Sequence, residues 1–235
     1  MVRPIQGESY YYSEQQEGID RRTKDLVVQR CLPHLRGPSV LDLGYVDGGW
    51  TDPILALGWT SDIVEGAATH VHRARQRYAG RADVRIYHAR FEEFHADRKY
   101  DSIIAGDILR YIEDPIPLLR RLRDWLTAKG RLLVTIPNSR SLHRRIGTLL
   151  GMETHPLAPN SQDIEVGNLR NYDRYQLRHE LLTAGLRISE LRGCFLKPLS
   201  SSQMTDWSDE LLVAFLEIGD ELEDYAWFLY AVCER

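Results

Sequence analysis

Two acidic residues, each at or near the end of a short apolar stretch, are the best candidates for chemistry in this chain. Asp42 lies within Val40–Leu43 and is followed by Gly44 and Gly48, and Glu65 ends a second apolar stretch about 20 residues after Gly44. In α/β proteins a glycine-bearing turn after the first strand lets the backbone approach a nucleotide. An acid about 20 residues later accepts hydrogen bonds from the ribose hydroxyls. The spacing therefore predicts a nucleotide pocket at the ends of two strands.

Alternating strand and helix patterns would position these acids. Strands are predicted over 40–43, 60–65, 84–88, 100–106 and 131–136, and helices over 14–35, 51–57, 67–78, 114–130, 141–150, 173–184 and near 207–222. Such alternation indicates a parallel sheet. Two late strand-like runs, 186–196 and 225–233, predict a closing antiparallel pair, and the polar stretch 151–170 is predicted to be a loop or lid.

The composition excludes several function classes. A net charge of −4 over 235 residues argues against a nucleic-acid partner, which would select a basic domain. The three cysteines form no CxxC pair, so we expect no metal site. No apolar run reaches the roughly 18 residues of a membrane span, and residues 1–7 lack the apolar core of a signal peptide. We therefore expect a cytoplasmic protein with no membrane partner.

The order of these motifs resembles that of class I S-adenosylmethionine (SAM)-dependent methyltransferases. The resemblance rests on LDLG-YVDGG at 41–49, Glu65, YDSIIAGDILRYIEDP at 100–115 and GRLLVTIPN at 130–138. It implies a Rossmann-like three-layer α/β sandwich whose seven-stranded sheet is mostly parallel, with strand seven antiparallel. PNSRSLHRRIGTLLGM at 137–152 and FLKPLSSSQM at 195–204 are similar to bacterial small-molecule methyltransferases of sugar, polysaccharide or natural-product tailoring.

We expect one domain over residues 1–235. Residues 1–35 would form an N-terminal helical cap, and 139–172 and 197–222 would form acceptor-side insertions or lids. The resemblance implies a small-molecule acceptor as the partner and allows a homodimer.

The resemblance also implies SAM as the cofactor and S-adenosylhomocysteine (SAH) as its product. Glu65 would hold the ribose hydroxyls through charge-assisted hydrogen bonds. Asp42 would hold the loop, or the ammonium group of SAM through water, and its alternative role is to cap the turn. The implied cofactor-binding residues are Asp42, Gly44, Tyr45, Gly48, Glu65, Arg90, Phe91 and Gly106.

Val46 departs from the pattern, because the family usually has glycine at this position. A β-branched residue resists a positive φ and fills space near the ligand. Three explanations stay open: the loop follows another path, SAM binds weakly, or this member has moved away from methyl transfer.

Candidate acceptor-side residues follow strands four and five. Asp107 would accept a proton from the acceptor or orient it, with capping of the turn as its alternative role. His143 is predicted to be a general base because its unperturbed pKa lies near working pH. Arg144 would bind an anionic group. The predicted substrate-binding residues are Tyr11, Tyr12, Asn138, Arg144, Tyr172 and Lys197.

Three functions are compatible with these residues. The first is methyl transfer to a small molecule, with an oxygen acceptor favoured over nitrogen because of His143 and Asp107. The second keeps the SAM site in a cyclase or a non-catalytic partner. The third, a nicotinamide-dependent oxidoreductase, fits poorly because the GxGxxG pattern is absent.

Overall fold

The computed structural model describes residues 14–152, 154–159, 161–165 and 167–235. The predicted acceptor residues Tyr11 and Tyr12 lie outside the described residues. Within the described ranges, helices and strands alternate along the chain as the periodicity predicts. The helices are α1 (Glu14–Cys31), α2 (Thr51–Ala56), α3 (Ala68–Arg77), α4 (Pro115–Trp125), α5 (Leu142–Leu149), α6 (Ser161–Glu165), α7 (Arg174–Thr183) and α8 (Asp209–Glu221). The strands are β1 (Ser39–Leu43), β2 (Thr60–Glu65), β3 (Val84–His88), β4 (Tyr100–Gly106), β5 (Leu126–Pro137), β6 (Arg187–Cys194) and β7 (Phe228–Glu234).

The seven strands form one sheet in the order β3-β2-β1-β4-β5-β7-β6. Strands β1 to β5 pair in parallel. Strand β7 runs antiparallel to both β5 and β6. The expected fold class, with strand seven antiparallel, is confirmed.

Apolar side chains on the two faces of the sheet enter different cores, because successive strand residues point to opposite faces. Leu132, Val134 and Ile136 of β5 belong to the core that contains residues of α4 and α7. Leu133, between them, belongs to the core that contains residues of α1 and α8. The central strands are therefore apolar at consecutive positions, as expected for a sheet covered on both faces.

The predicted end of one helix and the prediction of one loop were wrong. The fourth helix ends at Trp125, not near Gly130, because the chain enters β5 at Leu126 and pairs there with Tyr100. A Cβ on Gly130 would lie 2.8 Å from the backbone oxygen of Tyr100, so this glycine permits a close approach of two strands instead of ending a helix. The stretch predicted as a loop, 151–170, contains the short helix α6.

Two acids cap helices as their sequence context predicts. Asp114 accepts a hydrogen bond from the backbone N–H of Ile116 at 3.2 Å, and Asp173 accepts one from Gln176 at 2.9 Å. All three cysteines are buried free thiols. Among the described residues no helix is both long enough and apolar enough to cross a membrane.

Candidate functional site

The candidate site lies where the strand order reverses. From β1 the chain continues to β2 and β3 on one side, and it then returns to β4 on the other side of β1. The carboxyl ends of β1 and β4 therefore border a crevice, which is where open α/β sheets hold ligands. Gly44 follows β1 at this edge, Glu65 ends β2 and Asp107 follows β4. The fold brings these predicted residues together.

Backbone strain is concentrated at the same edge. Among the described residues three non-glycine residues have a positive φ: Val46 at 46°, Asp107 at 59° and Phe195 at 63°. Each follows a strand whose carboxyl end lies at this edge, namely β1, β4 and β6. Left-handed conformations of non-glycine residues are retained mainly where the surrounding structure enforces them, and they cluster at functional sites.

Glu65 is buried and holds the loop after β1 through its carboxylate. One oxygen accepts hydrogen bonds from the backbone N–H groups of Tyr45, at 3.0 Å, and Val46, at 3.5 Å. The other accepts from Ala67 at 2.8 Å. His70 Nδ1 lies 3.5 Å from the carboxylate. Burial opposes ionisation, but the hydrogen bonds from His70 and the backbone outweigh it and lower the pKa of Glu65.

The pKa of Asp42 is shifted in the opposite direction to that of Glu65. It is 1% exposed, and its Oδ2 accepts a hydrogen bond from the Thr51 hydroxyl at 2.7 Å. Its buried Oδ1 has no hydrogen-bond partner among the described residues. Burial raises the pKa of Asp42 to about 7. A buried carboxylate oxygen without a donor is a feature that a cationic ligand group would satisfy.

The two loop glycines have different roles. Gly44, at φ 92°, would place a Cβ 3.3 Å from Ile108 and 3.7 Å from Phe91, at the crevice. Gly48, at φ 87°, would place a Cβ 2.7 Å from the hydroxyl of Tyr78. Gly48 is therefore required by packing against α3, whereas Gly44 lines the crevice.

The side chains of two predicted cofactor residues line the crevice less than expected. Tyr45 presents its backbone N–H to Glu65, but its ring is buried against Tyr78 at a centroid distance of 6.0 Å. Arg90, after β3, is exposed, and its carbonyl accepts the backbone N–H of Phe94 at 3.0 Å.

At the end of β4, Gly106 and Asp107 meet a residue that the motifs did not indicate. A Cβ on Gly106 would lie 2.7 Å from Trp50 Nε1, so only glycine allows this indole to cross the strand end. Asp107 Oδ1 has no hydrogen bond within the described part of the chain, and Arg110 Nε lies 3.6 Å away. Burial raises the pKa of Asp107, and the charges of Arg110 and Lys24 oppose the rise.

A chain of polar contacts connects Asp107 to α5. Arg110 donates from Nε to Asn168 at 2.6 Å, and Asn168 donates to Asp163 at 2.9 Å. Asp163 pairs with Arg144 at 3.3 Å. The guanidinium of Arg144, predicted to bind an acceptor anion, is thus held by Asp163 and by the carbonyl of Ala158 at 3.1 Å.

His143, at the start of α5, has an electrostatic state that the sequence did not predict. Its Nδ1 lies 3.2 Å from the hydroxyl of Ser141. Burial and the charges of Lys197 and Arg144 lower its pKa to about 3. The expectation of a pKa near working pH was therefore wrong, because the desolvated ring faces two cations.

Two predicted substrate residues are engaged within the fold. The amide of Asn138 donates to the carbonyls of Asp224, at 3.2 Å, and Ala226, at 2.9 Å, and joins β5 to the turn before β7. Tyr172 is 1% exposed and donates its hydroxyl to Glu180 at 2.7 Å. Its placement in the core favours packing over contact with a substrate.

Sequence reasoning missed four residues at this edge: Trp50, His70, Arg110 and Asp163. Trp50 follows the glycine pair directly, and His70 comes five residues after Glu65, so both lay close to recognised motifs. Arg110 lies in the recognised stretch 100–115, three residues after Asp107, but its hydrogen bond to Asn168 is distant in sequence. Asp163 lies in the stretch that was predicted to be a loop, and its pairing with Arg144 has no local signal. Across the described ranges no group of three or more His, Cys, Asp or Glu residues is arranged to hold a metal ion.

Comparison with known proteins gives a match to a family model described as a methyltransferase domain, over residues 14–191. A curated relative, trans-aconitate 2-methyltransferase of Rhizobium etli, is 28% identical over 131 residues. That alignment covers 54% of this chain and 49% of the relative, so the chain spans about half the length of the relative.

Solved structures share the fold at low sequence identity. An S-adenosylmethionine-dependent methyltransferase from Mesorhizobium loti superposes with a TM-score of 0.65 at 16% identity, covering 93% of this chain and 100% of that chain. The magnesium protoporphyrin IX methyltransferase of Synechocystis, solved with bound SAH, superposes with a TM-score of 0.61 at 14% identity, covering 97% of this chain and 90% of that chain.

Proposed function

The chain belongs to the methyltransferase-domain family, and on that premise we propose that it transfers a methyl group from SAM to a small-molecule acceptor. The relative named for methylation of trans-aconitate supports an acceptor of small size. The structures that share the fold support SAM as the methyl donor.

The observation that carries this proposal is the cradle formed by Asp42, Gly44 and Glu65 beside the β1–β4 crevice. Glu65 already accepts three backbone hydrogen bonds and one from His70, which is about the capacity of a carboxylate. The ribose hydroxyls would therefore replace its longest contacts, to Val46 and His70, both at 3.5 Å. The free Oδ1 of Asp42 suits the ammonium group of SAM and would be held ionised by it. Gly44 lets the backbone approach without a Cβ.

When bound, SAM supplies an electrophilic sulfonium methyl group, so the protein chiefly has to align the acceptor. Asp107 is the residue that we propose to accept the acceptor's proton. Its Oδ1 lacks a hydrogen-bond donor among the described residues, and its raised pKa makes it a stronger base than an exposed aspartate.

His143 is uncharged at neutral pH because its pKa is lowered. Protonating it would place a third charge beside Lys197 and Arg144, so we propose that His143 orients the acceptor by hydrogen bonding and leaves the proton to Asp107. An oxygen acceptor remains favoured over nitrogen, because a hydroxyl must lose its proton as the methyl group is transferred, whereas a neutral amine can attack first and lose its proton afterwards.

Calorimetry with SAM and with SAH tests the proposal. We expect both ligands to bind the full-length chain, and binding of neither at millimolar concentration would refute the function. Transfer of a labelled methyl group from SAM to an acceptor from a small-molecule library is the second measurement.

A second candidate function keeps SAM binding but not methyl transfer, as in a cyclase or a non-catalytic partner. The strained Val46 in the cofactor loop favours it, because this residue departs from the usual glycine. Detection of a methylated product formed by the purified chain alone would exclude this candidate.

A further inference from the structure

The chain after β6 is bent so that Lys197 points inward. Phe195 adopts φ 63°, its carbonyl accepts the backbone N–H of Trp227 at 2.7 Å, and a Cβ on Gly219 would lie 2.5 Å from its nitrogen. Lys197 follows two residues later and is only 6% exposed. Burying an ammonium group is costly unless polar or charged partners compensate it, so the contacts of Lys197 decide what the residue can do there.

The ammonium group of Lys197 makes one short hydrogen bond and one longer ion pair. It donates to the hydroxyl of Ser201 at 2.7 Å and lies 4.0 Å from the ring centroid of Trp227. The nearest carboxylate oxygen, Asp20 Oδ1, is 3.7 Å away and already accepts the Ser201 hydroxyl at 2.5 Å. An ammonium has three N–H donors. Among the described residues only the one bond to Ser201 is made, which leaves donor capacity for a ligand.

Other cations surround the same space. The backbone N–H of His143 donates to the carbonyl of Lys197 at 3.2 Å, which ties α5 to this segment. Burial and the charges of Lys197 and Arg144 lower the pKa of His143. Burial lowers the pKa of Lys197, the contact with Asp20 opposes this shift and the charge of Lys24 adds to it. The charge of Lys24 also opposes the burial-driven rise in the pKa of Asp107. Arg144 is paired with Asp163 at 3.3 Å, whereas Lys197 has only a longer contact with Asp20 at 3.7 Å, so the Lys197 side is the part of this region that suits an anion.

We propose that the methyl acceptor carries a carboxylate and that the Lys197 ammonium group binds it. This inference rests on the proposed function, and it names the class of small molecule that the site accepts. The competing explanation is structural: Lys197, Ser201 and Asp20 would only fasten α1 to the segment after β6.

The test measures binding of carboxylates to the full-length chain saturated with SAH. The probes are trans-aconitate, succinate and benzoate, each paired with its methyl ester as the uncharged control. The protein variants are Lys197→Met, which keeps the apolar stem, Asp20→Asn, which removes the competing carboxylate, and Lys129→Met, an exposed lysine on β5. Calorimetry gives the dissociation constants, and urea unfolding gives the stability of each variant.

The proposal expects at least one carboxylate to bind the unsubstituted chain and its ester not to bind. Lys197→Met should weaken that binding about tenfold or more, because a charge-assisted hydrogen bond is lost. Asp20→Asn should strengthen it, and Lys129→Met should leave it unchanged.

Two results would overturn the proposal. One is that no carboxylate binds. The other is that Lys197→Met and Asp20→Asn lower stability alike while both keep the carboxylate affinity of the unsubstituted chain. That result would show that Lys197 has only the structural role. SAH binding is measured separately in every variant. If the unsubstituted chain does not bind SAH, the result counts against the methyltransferase function and not against the carboxylate site.

Discussion

The cofactor side and the acceptor side of the crevice are constructed differently. On the cofactor side one short stretch supplies the loop, and a single carboxylate, Glu65, holds that loop through backbone N–H groups at 3.0 Å and 2.8 Å. On the acceptor side Asp107 is connected to Arg144 through side chains: Arg110, three residues after Asp107, and Asn168 and Asp163 from a distant segment.

This difference affects how readily substitutions can change the ligand that each side binds. Backbone donors are present whatever the residue, so the cofactor side depends on few side chains and suits a ligand that does not vary. Side-chain contacts change with each substitution, so the acceptor side is where a family member can change its substrate. The predictions below test whether the two sides respond independently.

The largest expected effect is the pH dependence produced by Asp42. Its pKa in the folded protein, about 7, lies above its ordinary value of 3.8. The protonated carboxyl therefore stabilises the fold fully below the ordinary value, and this contribution is lost as the pH rises through about 7. Relative to Asp42→Asn, the free energy of unfolding should fall by a few kcal/mol over this range.

Urea unfolding of the two proteins at a series of pH values measures this difference. Glu65 has the opposite shift, with stability lost as the pH falls, but it is present in both proteins and cancels in the comparison. Parallel stability curves for the wild type and Asp42→Asn would show that folding does not raise the pKa of Asp42.

Glu65→Ala should weaken SAH binding by about 3 kcal/mol, or about 100-fold, because it removes the ribose acceptor and releases the loop. Calorimetry measures the affinity. Glu93→Ala, at an exposed position on the neighbouring segment, is the control. Carboxylate binding by the free protein should be unchanged in Glu65→Ala, and a parallel loss of both affinities would mean that the two sides are not independent.

Asp163→Asn should lower the free energy of unfolding by about 2 kcal/mol, since Arg144, whose side chain is 13% exposed, loses its carboxylate partner. SAH affinity should stay within about twofold of the wild type. The exposed Asp97→Asn is the matched control. A large loss of SAH affinity would contradict the separation of the two sides.

Val46→Gly should raise the free energy of unfolding by up to about 1 kcal/mol. The gain arises because glycine adopts φ 46° without strain, and it is reduced by the greater freedom of glycine in the unfolded chain. The free energy of unfolding of Val46→Ala should lie between those of the wild type and Val46→Gly. Thermal unfolding measures the series, and a destabilised Val46→Gly would mean that the valine side chain, 57% exposed, contributes a contact that outweighs the strain.

Much of the fold followed from local patterns. The predicted strands 60–65, 84–88 and 100–106 have the same bounds in the structure, because glycine and charged residues lie close to their ends. The start of β5 was missed, since Leu126 enters the sheet through a pairing with Tyr100 that has no local signal.

The candidate site was predicted unevenly for the same reason. Glu65 and Gly44 lie at a spacing that chain geometry fixes, and the structure brings them to one edge. The state of His143 was not predictable, because its lowered pKa comes first from burial and then from the charges of Lys197, which follows a different strand, and Arg144.

The sequence alone determined the order of strands and helices, the edge at which their loops meet and the cofactor loop, because these depend on periodicity and short spacings. The tertiary structure decided which side chains are buried, paired or strained there. It left Asp42 with an unpartnered oxygen and turned Lys197 inward beneath α1. Those properties depend on desolvation and on charges brought together from distant segments, which no local pattern encodes.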